Sequence, residues 1–316
     1  MATQPMTEAP RLLTGTWREV LFRSLCFAAA TFLLVALAGV LISLLIGGWP
    51  AFQQFGFGFL VSTEWNPVTE VYGAAGPIVG TLITAFLSLL MALPLAVGVA
   101  VFLVEFCPRS IAQPIATAID LLAGIPSIVY GMWGLFVFAP FFADHVQLPI
   151  SQAVTPGGFW DMLFSGVPNG ANIFTASIIL AIMILPYMSS VFRELFLSVP
   201  SQVREAAYGL GCTPCEVIRS IMIPFVKRGM VGVIMLGLGR ALGETMAVTY
   251  IIGNSHNFPK SLFDSGSTLA STIANEFAEA TTDMHTAALI ACGLVLFLIT
   301  FAVLAVARLL LSSQKD

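Results

Sequence analysis

Six long apolar runs dominate this chain and restrict its possible folds more than any other feature. The hydrocarbon core of a bilayer is about 30 Å thick, and a helix needs about 20 apolar residues to cross it. Each run reaches that length without the alternation of a barrel strand, so the sequence predicts an all-α integral membrane protein. The six predicted spans are Phe22–Ile46, Ile78–Phe102, Leu121–Phe142, Ile173–Phe192, Met230–Ile252 and Ala287–Leu310.

The composition agrees with a lipid environment. Of 316 residues, 58% are hydrophobic and only 9% are charged, whereas soluble domains carry about 25% charged residues. The chain therefore has too few charges to cover itself with a surface suited to water. Its five cysteines are odd in number and scattered, which favours free thiols over a disulfide framework.

The thirteen Lys and Arg residues predict how the spans are oriented. Eleven of them fall on one side of the six-helix arrangement, Lys260 falls on the other, and Arg240 lies within the fifth span. Positively charged loops stay in the cytoplasm, so we expect both termini there. We also expect an uncleaved first helix rather than a signal peptide, because its apolar run continues to Trp49. The expected divisions are a tail over 1–20, a transmembrane domain over 21–312 with a cytoplasmic loop at 193–229, and a tail over 313–316.

The connections on the less basic side contain more than simple turns. Residues 49–77 mix aromatic residues with Gly and Pro, which indicates structure lying in the membrane interface, and residues 143–171 are rich in Pro and Gly. Residues 268–280 place Leu269, Ile273 and Phe277 on one helical face, which predicts a short amphipathic helix. This helix is either a lid packed on the bundle or a landing site for an external partner, and both interpretations stay open.

The loop between the fourth and fifth predicted spans contains two short predicted helices within Glu205–Pro224. Gly211 suits the position just after the first helix, where a positive φ terminates it. Thr213 suits the N-cap of the second helix, with Pro214 at its first position and Glu216 completing a capping box. Two helices joined by a fixed turn make a rigid knob, which can transmit force between a soluble motor and the membrane helices.

This loop resembles that of ABC importer permeases. Their EAA motif is Glu-Ala-Ala, three residues, Gly, nine residues and Ile-x-Leu-Pro, and the chain matches it except that Ile223 replaces the usual Leu. In that family the loop docks in a groove of the ATP-binding subunit; the alternative is an ordinary amphipathic loop. The resemblance assigns coupling to an ATPase to Glu205, Ala206, Ala207, Gly211, Ile221 and Pro224.

The chain has no Gly-x-x-x-x-Gly-Lys-[Ser/Thr] phosphate loop. If ATP drives it, the ATPase must be another chain, so we expect this chain to bind no cofactor, with ATP and Mg²⁺ held by the partner. Cys212 and Cys215 have the spacing of a metal-binding pair, but there is no second pair to complete a zinc site. We expect no metal.

Two charged residues fall inside the predicted span Met230–Ile252. A charge at mid-bilayer costs about 2.5–3.5 kcal/mol on insertion scales, so Arg240 and Glu244 should face protein or water. They are four residues apart and hence neighbours on one helix face. Gly239 and Gly243 have the spacing that lets another helix approach closely. The sequence therefore predicts a paired charge in a crowded interface within the membrane.

This pair suits an oxyanion path. The planar donors of Arg240 fit a tetrahedral oxyanion, and Glu244 could hold Arg240 when the path is empty or accept the proton of hydrogen phosphate. The structural alternative is a buried ion pair that fixes helix register. Ser127, beside Pro126, is a lesser candidate, because a hydroxyl next to a proline could line a polar path or simply bond back to its own helix.

Three further stretches narrow the resemblance to the PstC family, a permease subunit of bacterial high-affinity phosphate importers. The stretches are Ile125–Phe136, Gly237–Thr245 continuing to Asn254, and Ala274–Ala280. The resemblance implies import of inorganic phosphate through the inner membrane by alternating access, with Arg240 lining the path. It also implies three partners: a homologous second permease (PstA-like), an ATPase dimer (PstB-like) and a periplasmic phosphate-binding protein (PstS-like).

Two other classes of function are weighed against this one. An intramembrane enzyme is disfavoured, because His145, His256 and His285 all lie outside the apolar runs. An ion-coupled carrier or channel could use Arg240 and Glu244, but it would not need a loop that engages an ATPase. Within the importers, sulfate and molybdate are the alternative oxyanions.

Overall fold

The structure is a computed structural model that describes residues 17–154 and 157–312. Most of the predicted N-terminal tail and all of the tail over 313–316 lie outside these residues. The described chain is helical except for one antiparallel hairpin, in which Trp65 pairs with Tyr72 and Asn66 with Val71.

The elements of the first half, in chain order, are α1 (Trp17–Phe55), α2 (Gly58–Val61), β1 (Trp65–Asn66), β2 (Val71–Tyr72), α3 (Ala75–Val101), α4 (Arg109–Ala123), α5 (Ser127–Trp133), α6 (Ala139–Phe142), α7 (Leu148–Ala153) and α8 (Phe159–Phe164). The second half contains α9 (Ile173–Leu197), α10 (Ser201–Gly209), α11 (Pro214–Val217), α12 (Ile223–Leu242), α13 (Met246–Ile251), α14 (Leu269–Glu276) and α15 (Asp283–Ser312). Four π-helical turns extend or join these helices, at Phe102–Phe106, Gly134–Phe138, Ala143–Gln147 and Ile218–Met222.

Six helical segments among the described residues are long and apolar enough to cross a membrane, which confirms the predicted number. The six segments are Glu19–Phe55, Ala75–Phe106, Ser127–Ala153, Ile173–Leu197, Pro214–Leu242 and Asp283–Leu309.

The chain divides after Ile46 into two units. The described part of the first unit is the helix over residues 17–46, whose side chains are mostly exposed.

The third span begins and ends later than predicted. Gly124 is the C-cap of α4, and Pro126 is the N-cap of α5. A proline disfavours helical conformation in the residue before it, so the chain is interrupted at Ile125. The span is therefore Ser127–Ala153 rather than Leu121–Phe142.

The fifth span also differs from the predicted Met230–Ile252. Its helix begins at Pro214 and continues through one π-helical turn to Leu242. Gly243 is the C-cap, with φ −91° and ψ 1°, and the next helix, α13, begins only at Met246. The predicted span thus combined the second half of a longer helix with a separate short one.

The core of the second unit lies between α3 and α9, which pack against each other more extensively than any other pair of elements. Ala92, Ala96 and Ala100 of α3 are fully buried. Small side chains at this spacing let two helix backbones come close together in a membrane protein. α12 also packs on α9, where a Cβ on Gly237 would lie 2.7 Å from the Sδ atom of Met188, so a larger residue there would require the Met188 side chain to shift.

The connection over residues 253–268, here the cap loop, folds across the ends of α3 and α9. The Phe174 amide donates to the Leu262 carbonyl at 3.0 Å. A Cβ on Gly76 or Gly80 of α3 would collide with a backbone carbonyl of the cap loop. The loop therefore packs on the bundle with its backbone.

The predicted amphipathic helix is α14, which follows the cap loop. Leu269, Ala270, Ser271 and Thr272 are at most 5% exposed, so the first turns of α14 pack on the bundle as a lid. Phe277, just beyond its end, is 55% exposed.

Contacts group the connections into two ends. We call residues 102–126 and 193–228 the basic end, because most of the Lys and Arg residues of the second unit lie there. Residues 56–74 and 253–285 form the acidic end, which contains Glu64, Glu70, Glu276 and Glu279.

Candidate functional site

The two short helices of the predicted knob are joined as the sequence indicates. Gly211 has φ +85°, and its amide donates to the Tyr208 carbonyl at 2.9 Å. The Cys212 amide donates to the Ala207 carbonyl at 3.2 Å. These two bonds form a Schellman motif, which satisfies carbonyls that the end of α10 leaves open. The predicted helix-ending role of Gly211 is confirmed.

The start of the second helix also matches its prediction. The Thr213 amide donates to the Glu216 carboxylate at 2.7 Å, and the Glu216 amide donates back to the Thr213 hydroxyl at 3.4 Å. Pro214 occupies the first turn, where a missing amide proton costs nothing. The capping box fixes the angle at which the chain enters α11.

Because α10 begins at Ser201, the structure extends the predicted knob from Glu205–Pro224 to residues 201–224. This knob has an inner and an outer side. Ala207, Val217 and Met222 are at most 3% exposed and pack into the core. The outer side presents an apolar side chain, Leu210, which is 86% exposed. The predicted coupling residues mostly line this outer side: Glu205, Ala206, Gly211 and Pro224 are exposed, Ile221 is half-buried, and Ala207 is buried.

A buried carboxylate ties the knob to the second span. Glu105 lies in the last turn of that span, and its side chain is only 8% exposed. It pairs with the Arg204 guanidinium at 3.3 Å and accepts a hydrogen bond from the Tyr208 hydroxyl. Burial, followed in size by the effect of the Glu105 carboxylate, raises the pKa of Tyr208 to about 12. The Tyr208 hydroxyl is therefore a hydrogen-bond donor at neutral pH. Sequence reasoning missed Glu105, although a lone acidic residue at the end of an apolar span is a signal that could have identified it.

The knob is also continuous with the fifth span. α11, the π-helical turn at Ile218–Met222 and α12 form one uninterrupted helix from Pro214 to Leu242. At 1.5 Å per residue, this helix places Arg240 about 40 Å from Pro214. The knob and Arg240 therefore lie on the same rod.

Arg240 is exposed in this chain. Its guanidinium carbon lies 5.4 Å from the centre of the Tyr187 ring, a cation–π distance. An open groove of about 650 Å³ runs beside it, lined mainly by apolar residues of α12 and α15: Gly232, Met235, Leu236, Gly239, Leu304 and the second arginine, Arg308. A basic side chain on an open surface of a membrane helix needs a partner, because lipid cannot solvate its charge.

The predicted pairing of Arg240 with Glu244 is wrong. The helix ends at Gly243, so the two residues do not share a helix face, and among the described residues they form no ion pair within 4.0 Å. Glu244 instead accepts from the Ala247 amide at 3.2 Å and caps α13. The predicted close helix approach at Gly239 and Gly243 is also absent from the described part of the chain, since the nearest side chain, Leu304, lies 3.9 Å from a Cβ built on Gly239.

Ser127 is the first residue of α5 and is half-buried. Its hydroxyl makes no hydrogen bond with the described residues. α5 packs on α13, where a Cβ on Gly131 would lie 3.0 Å from the Cα of Ala247. The start of α5, the end of α12 and the start of α13 therefore converge on one region.

Comparisons with known proteins define the class of this chain. A family profile described as binding-protein-dependent transport system inner membrane component matches residues 71–315. A chain from the crystal structure of a bacterial ABC transporter, involved in the import of the acidic polysaccharide alginate, has the same fold. Its TM-score is 0.61 and its sequence identity 17%, over 95% of this chain and 99% of that chain. The fold and the profile are those of an ABC importer permease, a multi-pass transport subunit of the inner membrane and not an enzyme.

Curated relatives narrow the class further. The phosphate transport system permease protein PstC of Mesorhizobium japonicum is 52% identical over 294 residues, covering 93% of this chain and 90% of that protein. The PstC of Haemophilus influenzae is 47% identical, covering 98% of both chains. The chain belongs to the PstC family of importer permeases, as the resemblance of its sequence motifs predicted.

Proposed function

We propose that this chain translocates inorganic phosphate into the cytoplasm by alternating access. The proposal rests above all on Arg240, an arginine at the membrane end of the rod that begins in the knob. The names of the relatives support phosphate as the cargo. Movement of the knob is transmitted to Arg240 because one continuous stretch of helix joins them. Pro224 and the π-helical turn at Ile218–Met222 are the points at which this helix bends most easily.

The basic end faces the cytoplasm in this proposal, and both termini are cytoplasmic. The distribution of Lys and Arg supports that orientation. The outer side of the knob, with Leu210 at its tip, then meets the ATPase, a PstB-like dimer that holds ATP and Mg²⁺. This chain itself binds no cofactor.

A second permease, PstA-like, covers the open groove beside Arg240. The exposure of Arg240 supports this, since its charged side chain and the apolar residues of the groove would otherwise face lipid. The path then lies between the two permeases, and a PstS-like binding protein delivers phosphate to the acidic end.

Each path residue has a separate role. Arg240 donates to the phosphate oxygens. Glu244 caps α13 through one carboxylate oxygen, and its other oxygen, Oε2, makes no hydrogen bond with the described residues. That oxygen accepts the proton of hydrogen phosphate, a contact that fully deprotonated sulfate cannot make. Ser127 offers its free hydroxyl at the start of α5.

The proposal is tested by competition in vesicles that contain all the subunits. Labelled phosphate uptake should be ATP-dependent, blocked by unlabelled phosphate and insensitive to sulfate or molybdate at the same concentration. Equal inhibition by sulfate would mean that the cargo is a broader class of oxyanions and not phosphate specifically. Uptake without ATP, or failure of an ATP-binding subunit to purify with the complex, would favour a carrier or channel.

A further inference from the structure

A second carboxylate with several partners, the partly buried Glu276, lies at the acidic end, away from the proposed path. The Oε2 atom of Glu276 accepts from the Trp65 indole nitrogen at 2.7 Å and lies 2.8 Å from the His285 Nε2. Its Oε1 atom lies 2.7 Å from the His256 Nε2. The Glu276 side chain is 16% exposed. We call these four residues the Glu276 clasp.

The clasp joins connections that are far apart in the chain. Trp65 belongs to β1 in the connection between the first two spans, His256 to the cap loop, and His285 to the start of α15. The rings stack as well as bond: Trp65 lies on His256 with centroids 5.2 Å apart, and Tyr72 lies on His285 at 5.3 Å. One carboxylate therefore holds the closing connections of the acidic end together.

The carboxylate is ionised at neutral pH. Burial raises the pKa of Glu276, but the hydrogen bonds from His256, His285 and Trp65 outweigh burial and lower the pKa below its ordinary value. A buried charge is an inefficient way to fix a static contact, because well-packed apolar residues often do so equally well. A polar contact suits a junction that opens, since water can solvate its separated groups.

The clasp is connected to the path by a short stretch of chain. Glu244 caps α13, α13 ends at Ile251, and the cap loop begins two residues later. The cap loop then reaches His256, whose Nδ1 atom is buried without a hydrogen-bond partner among the described residues. A closed clasp therefore fixes the cap loop, and through it α13, whose Ala247 amide donates to Glu244.

We propose that Glu276 is a positioning residue for transport, one that holds the acidic end closed until the clasp separates to admit substrate. The inference rests on the proposed function, because only an importer needs its outer end to open in each cycle. When the clasp separates, the cap loop releases α13, and the path beside Arg240 opens to the outside.

The test uses the assembled transporter in vesicles with the variant Glu276→Gln, which keeps the shape of the side chain but removes its charge. Loss of a charge-assisted hydrogen bond shifts a closed–open equilibrium by about tenfold or more. We expect ATP hydrolysis in the absence of binding protein to rise by about that factor, and phosphate carried per ATP to fall. An unchanged hydrolysis rate with an unchanged ratio would overturn the proposal.

Two further variants separate a positioning role from a structural one. Glu279→Gln removes an exposed carboxylate three residues away and should leave both rates unchanged. His256→Leu removes the cap loop's hydrogen-bond partner of Glu276, and it repeats the test if Glu276→Gln does not assemble. If both clasp variants only lower the amount of assembled complex, with normal rates per complex, the clasp is structural and the proposal fails. The hydrolysis rate is measured without phosphate, so it reports on the clasp whatever the cargo is. If the wild-type complex does not transport phosphate, the proposed function is refuted, but the proposal about the clasp is still tested by the hydrolysis rates.

Discussion

Each end of the bundle is held by one carboxylate that is mostly shielded from solvent, but the two ends are built differently. At the basic end, Glu105 receives Arg204 and Tyr208 from the knob. At the acidic end, Glu276 receives Trp65, His256 and His285. The knob also has a Schellman motif, a capping box and an uninterrupted helix into the membrane. The cap loop packs on the first turns of α3 and α9 through its backbone, but no continuous helix carries it into a described span, because the chain breaks between α12 and α13.

This difference matches the tasks proposed for the two ends. A part that transmits force to a motor must keep its shape. Local helix caps give the turn of the knob its shape, and the Glu105 contacts and core packing hold the knob in place. A part that opens must be held by contacts that can separate together. Changes at Glu105 and at Glu276 should therefore have opposite effects on ATP hydrolysis.

The largest effect should come from Glu105→Gln. The variant leaves the Arg204 guanidinium without a charged partner in a half-buried site, which costs about 1.5–3 kcal/mol. ATP hydrolysis stimulated by the binding protein should fall by about tenfold or more, and uptake should fall with it. Both rates are measured in the reconstituted complex.

Glu194→Gln is the matched control for Glu105→Gln. Glu194 pairs with its neighbour Arg193 at 2.7 Å, but its side chain is 67% exposed. Exposed pairs contribute about 0–1 kcal/mol, so both rates should stay close to wild type. If Glu105→Gln raised basal hydrolysis as Glu276→Gln is expected to do, the contrast between the two ends would be wrong.

A smaller effect is expected from Gly211→Ala. A left-handed backbone costs a residue with a Cβ about 1–2 kcal/mol, and Gly211 has φ +85°. The knob should lose its ordered turn in part, and its affinity for the ATPase should fall by about tenfold for each 1.4 kcal/mol lost. Titration of the ATPase onto vesicles that contain the permeases measures this affinity.

Gly209→Ala provides the comparison within the same turn. A Cβ at Gly209 or at Gly211 would meet no atom within 4 Å, and only Gly211 has a positive φ. Gly209→Ala should therefore bind the ATPase as well as wild type does. Equal loss in both variants would mean that the left-handed turn is not what gives the knob its shape.

The sequence predicted the parts of this structure that depend on local interactions. The caps at Gly211 and Thr213 involve residues within five positions of each other, and each span was recognisable as an apolar run. The break at Gly243 was not predicted, because glycines are common inside membrane helices and only the tertiary structure shows which one ends a helix. The contact between Glu105 and Arg204 spans 99 positions, and that between Trp65 and Glu276 spans 211; no local pattern indicates such pairs.

The role of Arg240 in phosphate translocation is the central claim, and one measurement tests it most directly. Phosphate uptake is compared in vesicles containing wild type, Arg240→Gln and Arg228→Gln, the last being the same substitution at an exposed position of the same helix. Lost charge-assisted hydrogen bonds of about 1.5–3 kcal/mol should lower uptake by Arg240→Gln at least about tenfold, with Arg228→Gln close to wild type. Normal uptake by a stably inserted Arg240→Gln complex would contradict the account.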